Sequence, residues 1–284
     1  MRKSQYDACF ARMKHGHGFY DNKGVGFYYA PALAEMPGVK HGFTARYGGV
    51  SKYPFDTLNL SFGRTEPKDD DQNVRRNFEI FCSAADLSYE SLCIINFEHG
   101  ANVVPVTAED CGRGFGREPL PGCDGLITND PRVTLISSHA DCGAFFLYDP
   151  VKRAVGIAHA GWKGTLFRIG RNLVEAMQRE YGTDPKDLIA SNGPVICKDC
   201  YEVDLELGQQ FQKEFEHPCG VPGKIGKHQL DMETAAAIQL LEAGVLPEHI
   251  TLMHECTYEN PERLFSHRRN RGKTGDMAGF IKLT

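Results

Sequence analysis

The stretch from residue 92 to 161 constrains the fold more than any other part of the chain. It holds six short runs, "LCIINFEHG", "NVVPVTA", "DGLITND", "VTLISSHADC", "AFFLYDP" and "AVGIAHAG". Several are rich in β-branched and aromatic residues and end at Pro, Gly, Asn or Asp, which is how strands read. Helical spacing appears on either side. Val74, Phe78, Phe81 and Cys82 share one face of a helix expected over 69–87, with Asp70 or Asp71 as its cap. Leu166, Ile169, Leu173 and Met177 mark another from Thr165 to Tyr181, ended by Gly182 and Pro185. Beyond it, "DLIASNGPV" reads as strand and turn, and "YEVDLELGQQFQKEFE" and "DMETAAAIQLLEAG" read as helices. "HITLMHECTY" reads as a strand and "MAGFIKLT" as an edge strand. Many strands with scattered helices exclude a regular βαβ repeat and predict an α+β fold, with mixed β-sheets packed together and helices outside.

The length of 284 residues suits one large domain or two small ones. A net charge of −5 gives no global reason to bind nucleic acid, and the basic run "SHRRNRGK" (266–273) reads as a solvated loop. No apolar run approaches the ~18 residues of a membrane span. The basic N-terminal stretch lacks the continuous apolar segment of a signal peptide. With no such signal, ten cysteines point to reduced thiols in a cytoplasm. Cys197 and Cys200 form the only close pair. With no second C-x-x-C to complete a four-cysteine site, they read as structural. "GRGFGRE" (112–118) has glycines spaced like part of a dinucleotide fingerprint but the wrong flanking elements, and reads as a mobile surface loop.

Three polar residues stand where apolar runs end: His99 in "FEHGANV", Cys142 in "HADCGAFF" and His159 in "IAHAGW". Each is followed closely by Gly or Ala, which lets a ligand approach the backbone. If they converge, two imidazoles and a thiolate make a three-ligand zinc site with its fourth position open to water or substrate. The same residues equally suit a Cys142 nucleophile activated by His99 or His159. His159 lies beside Trp162, the only tryptophan of the chain. The Gly161-Trp162 turn is expected to pack against the His159 ring, and Asp141 either supports the site or caps its turn. In "TARYGGVS", Gly48 and Gly49 allow a tight turn with exposed N–H groups. Arg46 beside it suits a phosphate oxyanion, or else pins the loop to a carboxylate.

The segments "FTARYGGVS", "TLNLSFG", "EHGANVV", "CDGLITNDP", "ADCGAFFLYDP", "AHAGWKGT", "NGPVICKDCYEV", "LDMETAAAIQL" and "CTYENPERLFSHRRNRGKTG" occur in this order. Together they closely resemble the multicopper polyphenol oxidoreductases, or laccase-domain proteins, now described as zinc-dependent purine nucleoside phosphorylases and adenosine deaminases. The resemblance covers residues 40–284 and leaves 1–39 as an N-terminal segment, either part of the same fold or flexible. It implies a four-layer α/β/β/α sandwich. It implies Zn²⁺ held by His99, Cys142 and His159, with Cys142 and His159 also catalytic. Arg46 is implied as an active-site residue, and Arg46, Gly48, Gly49 and Asn59 as substrate-binding. The implied partners are purine nucleosides and phosphate, with no nucleic acid and no membrane. Three positions depart from the family pattern: Phe97 stands where Gln is usual, "TAR" replaces "STR", and Asp276 stands where Arg is common. They bear on substrate preference rather than metal binding. Rival readings are a polyphenol oxidase, a cysteine or zinc amidohydrolase editing cell-wall precursors, and a non-catalytic zinc-binding protein. Copper is not expected, because a multicopper site needs several His clusters and the only H-x-H is His15-Gly16-His17.

Overall fold

The six apolar runs become strands of two different sheets. The computed structural model describes residues 3–63 and 66–284. Arg64 and Thr65 lie outside the described residues. Leu92–Ile94 and Thr134–His139 enter a six-stranded mixed sheet, and the other four runs enter a seven-stranded one. In the larger sheet, Gly143–Asp149 and Ala154–Ala160 form an antiparallel pair at the centre. Both are buried along their whole length, so their sequences are apolar without alternation. Their flanking neighbours are Ile189–Asn192 and Gly125–Thr128.

The smaller sheet runs Gly18–Asn22, Val25–Tyr29, Val39–Thr44, Met277–Leu283, Thr134–His139 and Leu92–Ile94. Met277–Leu283 is therefore not an edge strand. It pairs on one side with Val39–Thr44 and on the other with Thr134–His139. Its run "MAGFI" is buried throughout, as an interior strand requires.

Phe43, Leu126, Leu135, Phe146, Ile157 and Ile281 fill the space between the sheets. The helices Ile169–Tyr181 and Met232–Glu242 cover the outer face of the larger sheet through Leu173, Met177, Ala237 and Ile238. Asp71–Ala85, capped by the Asp70 side chain, covers the outer face of the smaller sheet through Phe78 and Phe81. The result is the four-layer α/β/β/α sandwich. Residues 3–39 are woven into it. Helix Lys3–Phe10 buries Tyr6, whose hydroxyl donates to Glu242 at 2.6 Å. Lys14–His15 joins the larger sheet, and Gly18–Asn22 and Val25–Tyr29 join the smaller. No helix among the described residues is long and apolar enough to cross a membrane.

Two helical expectations are corrected. The helix expected over 165–181 is two helices, Trp162–Leu166 and Ile169–Tyr181, broken at Arg168 with φ 63°. The left-handed residue is held by its own side chain, which pairs with Glu214 and Glu242 and lies 4.0 Å over the Phe215 ring. In "YEVDLELGQQFQKEFE", only Leu205–Glu214 is helical. Glu202–Asp204 instead pairs with Lys227–Leu230 in a small three-stranded sheet, where backbone pairing overrides helix propensity.

Candidate active site

Cys142 lies where the chain crosses from one sheet to the other, between the strands ending at His139 and beginning at Gly143. Asp141 makes that crossing with φ 84°, and its carboxylate accepts from the Thr257 hydroxyl at 2.5 Å and the Arg268 N–H at 2.6 Å. It thus ties two C-terminal loops to the crossing. His159 is the penultimate residue of Ala154–Ala160, in register with Ala144. His99 comes from the loop after Leu92–Ile94 and has φ 56°.

These residues meet around Gly161. A Cβ placed on Gly161 would lie 3.2 Å from Cys142 Sγ, 3.3 Å from His99 Nδ1 and 3.8 Å from His159 Nε2. The glycine leaves open a cradle that one thiol and two imidazoles surround. His159 Nδ1 is 2.9 Å from the Ser138 carbonyl, which can only accept. The proton is therefore on Nδ1, and Nε2 offers its lone pair to the cradle. The His159 ring is stacked between Phe97 at 4.2 Å and His139 at 5.0 Å, each within 10° of parallel. Stacking by these two rings helps to hold it. Trp162 is 42% exposed and forms part of the cleft wall.

The His99 loop is held by Asp124, which the sequence reading missed. Its two carboxylate oxygens accept from the N–H groups of Glu98 and Gly100, at 3.2 and 2.9 Å. Its backbone carbonyl accepts from the His159 N–H at 2.7 Å, so one residue links both histidines. Burial pushes the Asp124 carboxyl up, and the two backbone donors and His99 pull it back. Its only sequence signal is an acid buried between Cys123 and Gly125 at the start of an apolar strand. Burial pushes the Cys142 thiol up to about 12, with Asp141 and Asp276 adding to the rise. A thiolate here therefore needs a neighbouring cation. The cradle faces the cleft and is lined by a soft sulfur and two imidazole nitrogens. This donor set fits Zn²⁺ with an open fourth position.

The cradle opens into a cleft of ≈ 1470 Å³. Phe62, Phe97, Phe115, Trp162 and Tyr201 give it aromatic walls. Asn59, Arg75, His267, Arg268 and Asp276 give it polar ones. The two segments read as surface loops, 112–118 and 266–273, also line the cleft. In 112–118, Phe115 is buried against Phe62, Phe78 and Tyr89, and its carbonyl accepts from Arg75 at 2.8 Å. In 266–273, Arg269 donates to the carbonyls of Thr257, Tyr258 and Leu264, and Arg268 lies 4.9 Å over Tyr201. Asn59 is buried, lines the cleft and donates to Asp69 at 3.1 Å. Burial pushes the Asp276 carboxyl up, while Ser61 and His267 pull it back.

Arg46 does not line this cleft. Its guanidinium donates to the Asp56 carbonyl at 2.8 and 3.0 Å and to the Pro261 carbonyl at 3.0 Å, and lies 4.5 Å over Phe265. The N–H groups of Gly49 and Val50 donate to Thr57 Oγ1 and Asn77 Oδ1. Gly48 has φ 96°, and a Cβ there would lie 2.3 Å from the Gly24 carbonyl oxygen. Gly48→Ala is accordingly expected to destabilise the fold by about 2–3 kcal/mol, read from the urea midpoint. An unchanged midpoint with weakened phosphate binding would instead make Gly48 part of a ligand cradle. His15 and His17 lie outside the cleft, with His15 Nδ1 2.7 Å from His254 Nε2 and His17 Nδ1 3.0 Å from the Met253 carbonyl.

A second cluster stands apart from the cradle. Cys197 and Cys200 meet Cys256 and Glu259, with their ligand atoms all within 4.8 Å of one another, an arrangement able to hold a metal ion. The chain has no second C-x-x-C, as read from the sequence, but Cys256 and Glu259 stand where a second pair would. Counting cysteines alone overlooked "CTYE", a C-x-x-E pair of the same spacing.

Residues 40–284 match the family model described as multi-copper polyphenol oxidoreductase laccase. The purine nucleoside phosphorylase YlmD of Bacillus subtilis is 36% identical over 248 residues, covering 85% of this chain and 87% of the relative. Among solved structures, the hypothetical protein YfiH of Bacillus licheniformis aligns with a TM-score of 0.86 and 31% identity, over 94% of this chain and 99% of that one. YlmD from Geobacillus stearothermophilus aligns with a TM-score of 0.85 and 33% identity, over 93% of this chain and 97% of that one.

Proposed function

We propose that this chain, which belongs to the multi-copper polyphenol oxidoreductase laccase family, is a zinc-dependent purine nucleoside phosphorylase that also deaminates adenosine. One observation carries the reading: the donor atoms of His99, Cys142 and His159 surround the cradle at Gly161, and the cradle faces a large cleft. Three protein donors facing open space favour an enzyme over a closed structural metal site. The name of the Bacillus subtilis relative supports the substrate class.

Zinc in the cradle supplies a Lewis acid able to polarise an oxygen. The chain's own residues do the rest. Ser138 fixes the His159 tautomer, and Asp124 fixes the loop of His99. Trp162 and Tyr201 offer aromatic faces for the purine at the mouth of the cleft. Arg268 and His267 supply positive and hydrogen-bonding groups for the phosphate. Asn59 acts as a positioning residue of the cleft wall, its amide donating to Ser61 and Asp69 and accepting from the N–H groups of Ser61 and Asp276. In phosphorolysis, a phosphate oxygen bonds to ribose C1′ as the C1′–N9 bond breaks, and the base leaves with that electron pair. In deamination, water adds at C6 of adenosine and ammonia leaves. Arg46 acts as a positioning residue. By holding the Asp56 carbonyl, it sets the 55–59 segment from which Phe55 and Asn59 reach the cleft.

The test is incubation of the zinc-loaded protein with adenosine, inosine and guanosine, with and without phosphate, read by mass spectrometry. Free base and ribose 1-phosphate are expected only with phosphate, and inosine from adenosine in either condition. Absence of phosphate-dependent base release would overturn the phosphorylase reading. Base release without inosine formation would confine the protein to phosphorolysis.

A further inference from the structure

Two pairs with the same i, i+3 spacing, Cys197 with Cys200 and Cys256 with Glu259, are brought face to face by backbone pairing. Val195 and Cys256 form a parallel bridge, in which the Val195 N–H donates to the Glu255 carbonyl at 3.0 Å and the Thr257 N–H to the Val195 carbonyl at 3.4 Å. We propose that Cys197, Cys200, Cys256 and Glu259 bind a second metal ion, zinc by preference, which staples the 195–201 segment to the 256–259 segment behind the cleft wall.

The dimensions support this. With Zn–S of about 2.3 Å and Zn–O of about 2.0–2.2 Å, a tetrahedral site has S···S edges of about 3.8 Å and S···O edges of about 3.5 Å. The cluster is already drawn to within 4.8 Å throughout, and Cys200 Sγ lies 3.6 Å from Glu259 Oε1. A small contraction closes it. The Cys197 N–H points at Cys256 Sγ from 3.3 Å, a donor placed where a metal-bound thiolate carries charge. Cys197 and Cys200 are half-buried, Cys256 is buried and Glu259 is exposed, which leaves an entry path. Three thiolates and a carboxylate around Zn²⁺ carry net negative charge. Arg269, bound to the carbonyls of Thr257 and Tyr258, stands beside them. Three sulfurs select zinc over magnesium or calcium. A disulfide is the rival occupant. It would use two of the three sulfurs and leave the third, and Glu259, unaccounted for.

The cluster shares no ligand with the cradle at Gly161, and its assignment does not rest on nucleoside chemistry. Its position nevertheless bears on the cleft. The Ile196 N–H donates to the Asp141 carbonyl at 3.1 Å, Asp141 holds Thr257, and Ile196 and Tyr201 line the cleft.

The experiment uses the full chain, loaded with Zn²⁺ under reductant, desalted and measured by elemental analysis. The variants are Cys142→Ala, Cys256→Ser and Glu259→Ala, with circular dichroism as the fold control. Two zinc ions per chain are expected in the wild type, and one in Cys142→Ala and in Cys256→Ser. Glu259 is exposed, so its alanine variant is expected to fold. Its cluster affinity, by competition with a chelating dye, is expected to fall beyond the ~10- to 100-fold cost of losing an outer-shell partner. Loaded with Co²⁺, Cys142→Ala should keep about three quarters of the thiolate-to-metal absorption, because one of four sulfur ligands is gone. Zinc stoichiometry untouched by Cys256→Ser and affinity untouched by Glu259→Ala would overturn the proposal. So would failure of the reduced cluster to bind Zn²⁺ while two of its cysteines form a disulfide in air. If Cys256→Ser does not fold, the Glu259→Ala affinity and the cobalt spectrum decide. Failure of the cradle assignment would show separately, as a Cys142→Ala variant with unchanged zinc content.

Discussion

Cys142→Ala is expected to lower both phosphorolysis and deamination by roughly 10³-fold or more, while the protein stays folded. A Lewis acid at a reacting oxygen contributes several kcal/mol to a barrier, and about 4 kcal/mol corresponds to that factor. Cys142 supplies the only sulfur among the three donors around Gly161. Without it, two imidazoles remain, too few for a tightly held zinc. The fold does not depend on the ion, because the layers close over large apolar clusters on both faces of each sheet. The measurement pairs initial rates for inosine and adenosine with zinc content and a thermal melt. Full zinc occupancy with activity lost would favour a nucleophilic role for Cys142. Retained activity would remove it from the site. The structure already weighs against an unaided nucleophile, since burial and two nearby carboxylates hold the thiol protonated at neutral pH.

Much of the cradle is legible in the sequence. His99, Cys142 and His159 each stand at the end of an apolar run beside small residues, a pattern local enough to read. What holds them is not. Asp124 acts through backbone N–H groups 24 and 26 residues away, and no local spacing marks such a partner. Phe97 looked like a departure from a family pattern, and its stacking on His159 is visible only once the loop and strand meet. Strand existence was readable from composition, but strand placement was not. Met277–Leu283 reads as an edge because it is last in the chain, yet its partners begin at residues 39 and 134. Pairing over such separations follows from burial on both faces, which a terminal run does not announce. The helix break at Arg168 was hidden for a related reason. Apolar spacing continues through Leu166, Ile169 and Leu173, while the left-handed residue is stabilised by Glu214 and Glu242 from distant elements. The basic run 266–273 was legible as an exposed loop, and only the anchoring of Arg269 on carbonyls and of Arg268 over a tyrosine ring depends on distant segments.

Gly161→Ala isolates the cradle from the fold more sharply than any ligand substitution. Gly161 has φ −74° and ψ 171°, a conformation alanine adopts without strain. It caps helix Trp162–Leu166 without a side-chain bond, so the exchange costs that helix at most about 1 kcal/mol. The nearest neighbours of the new methyl are Cys142 Sγ, His99 Nδ1 and His159 Nε2, at 3.2 to 3.8 Å. None is closer than 3.0 Å, so the metal-free chain accommodates the methyl with small shifts. A zinc ion bound to the same atoms at about 2.0–2.3 Å would compete for that space. The expected result is a melting temperature within a few degrees of wild type, loss of one zinc per chain, and loss of both activities to the level of Cys142→Ala. Gly164→Ala, three residues on, makes the contrast. Its methyl would lie 2.6 Å from the Gly100 carbonyl oxygen, in the backbone of the His99 loop, so stability falls together with activity. Zinc content and rates at wild-type level in Gly161→Ala would mean that the three donors do not share an ion at that point, and the zinc assignment would fall with them.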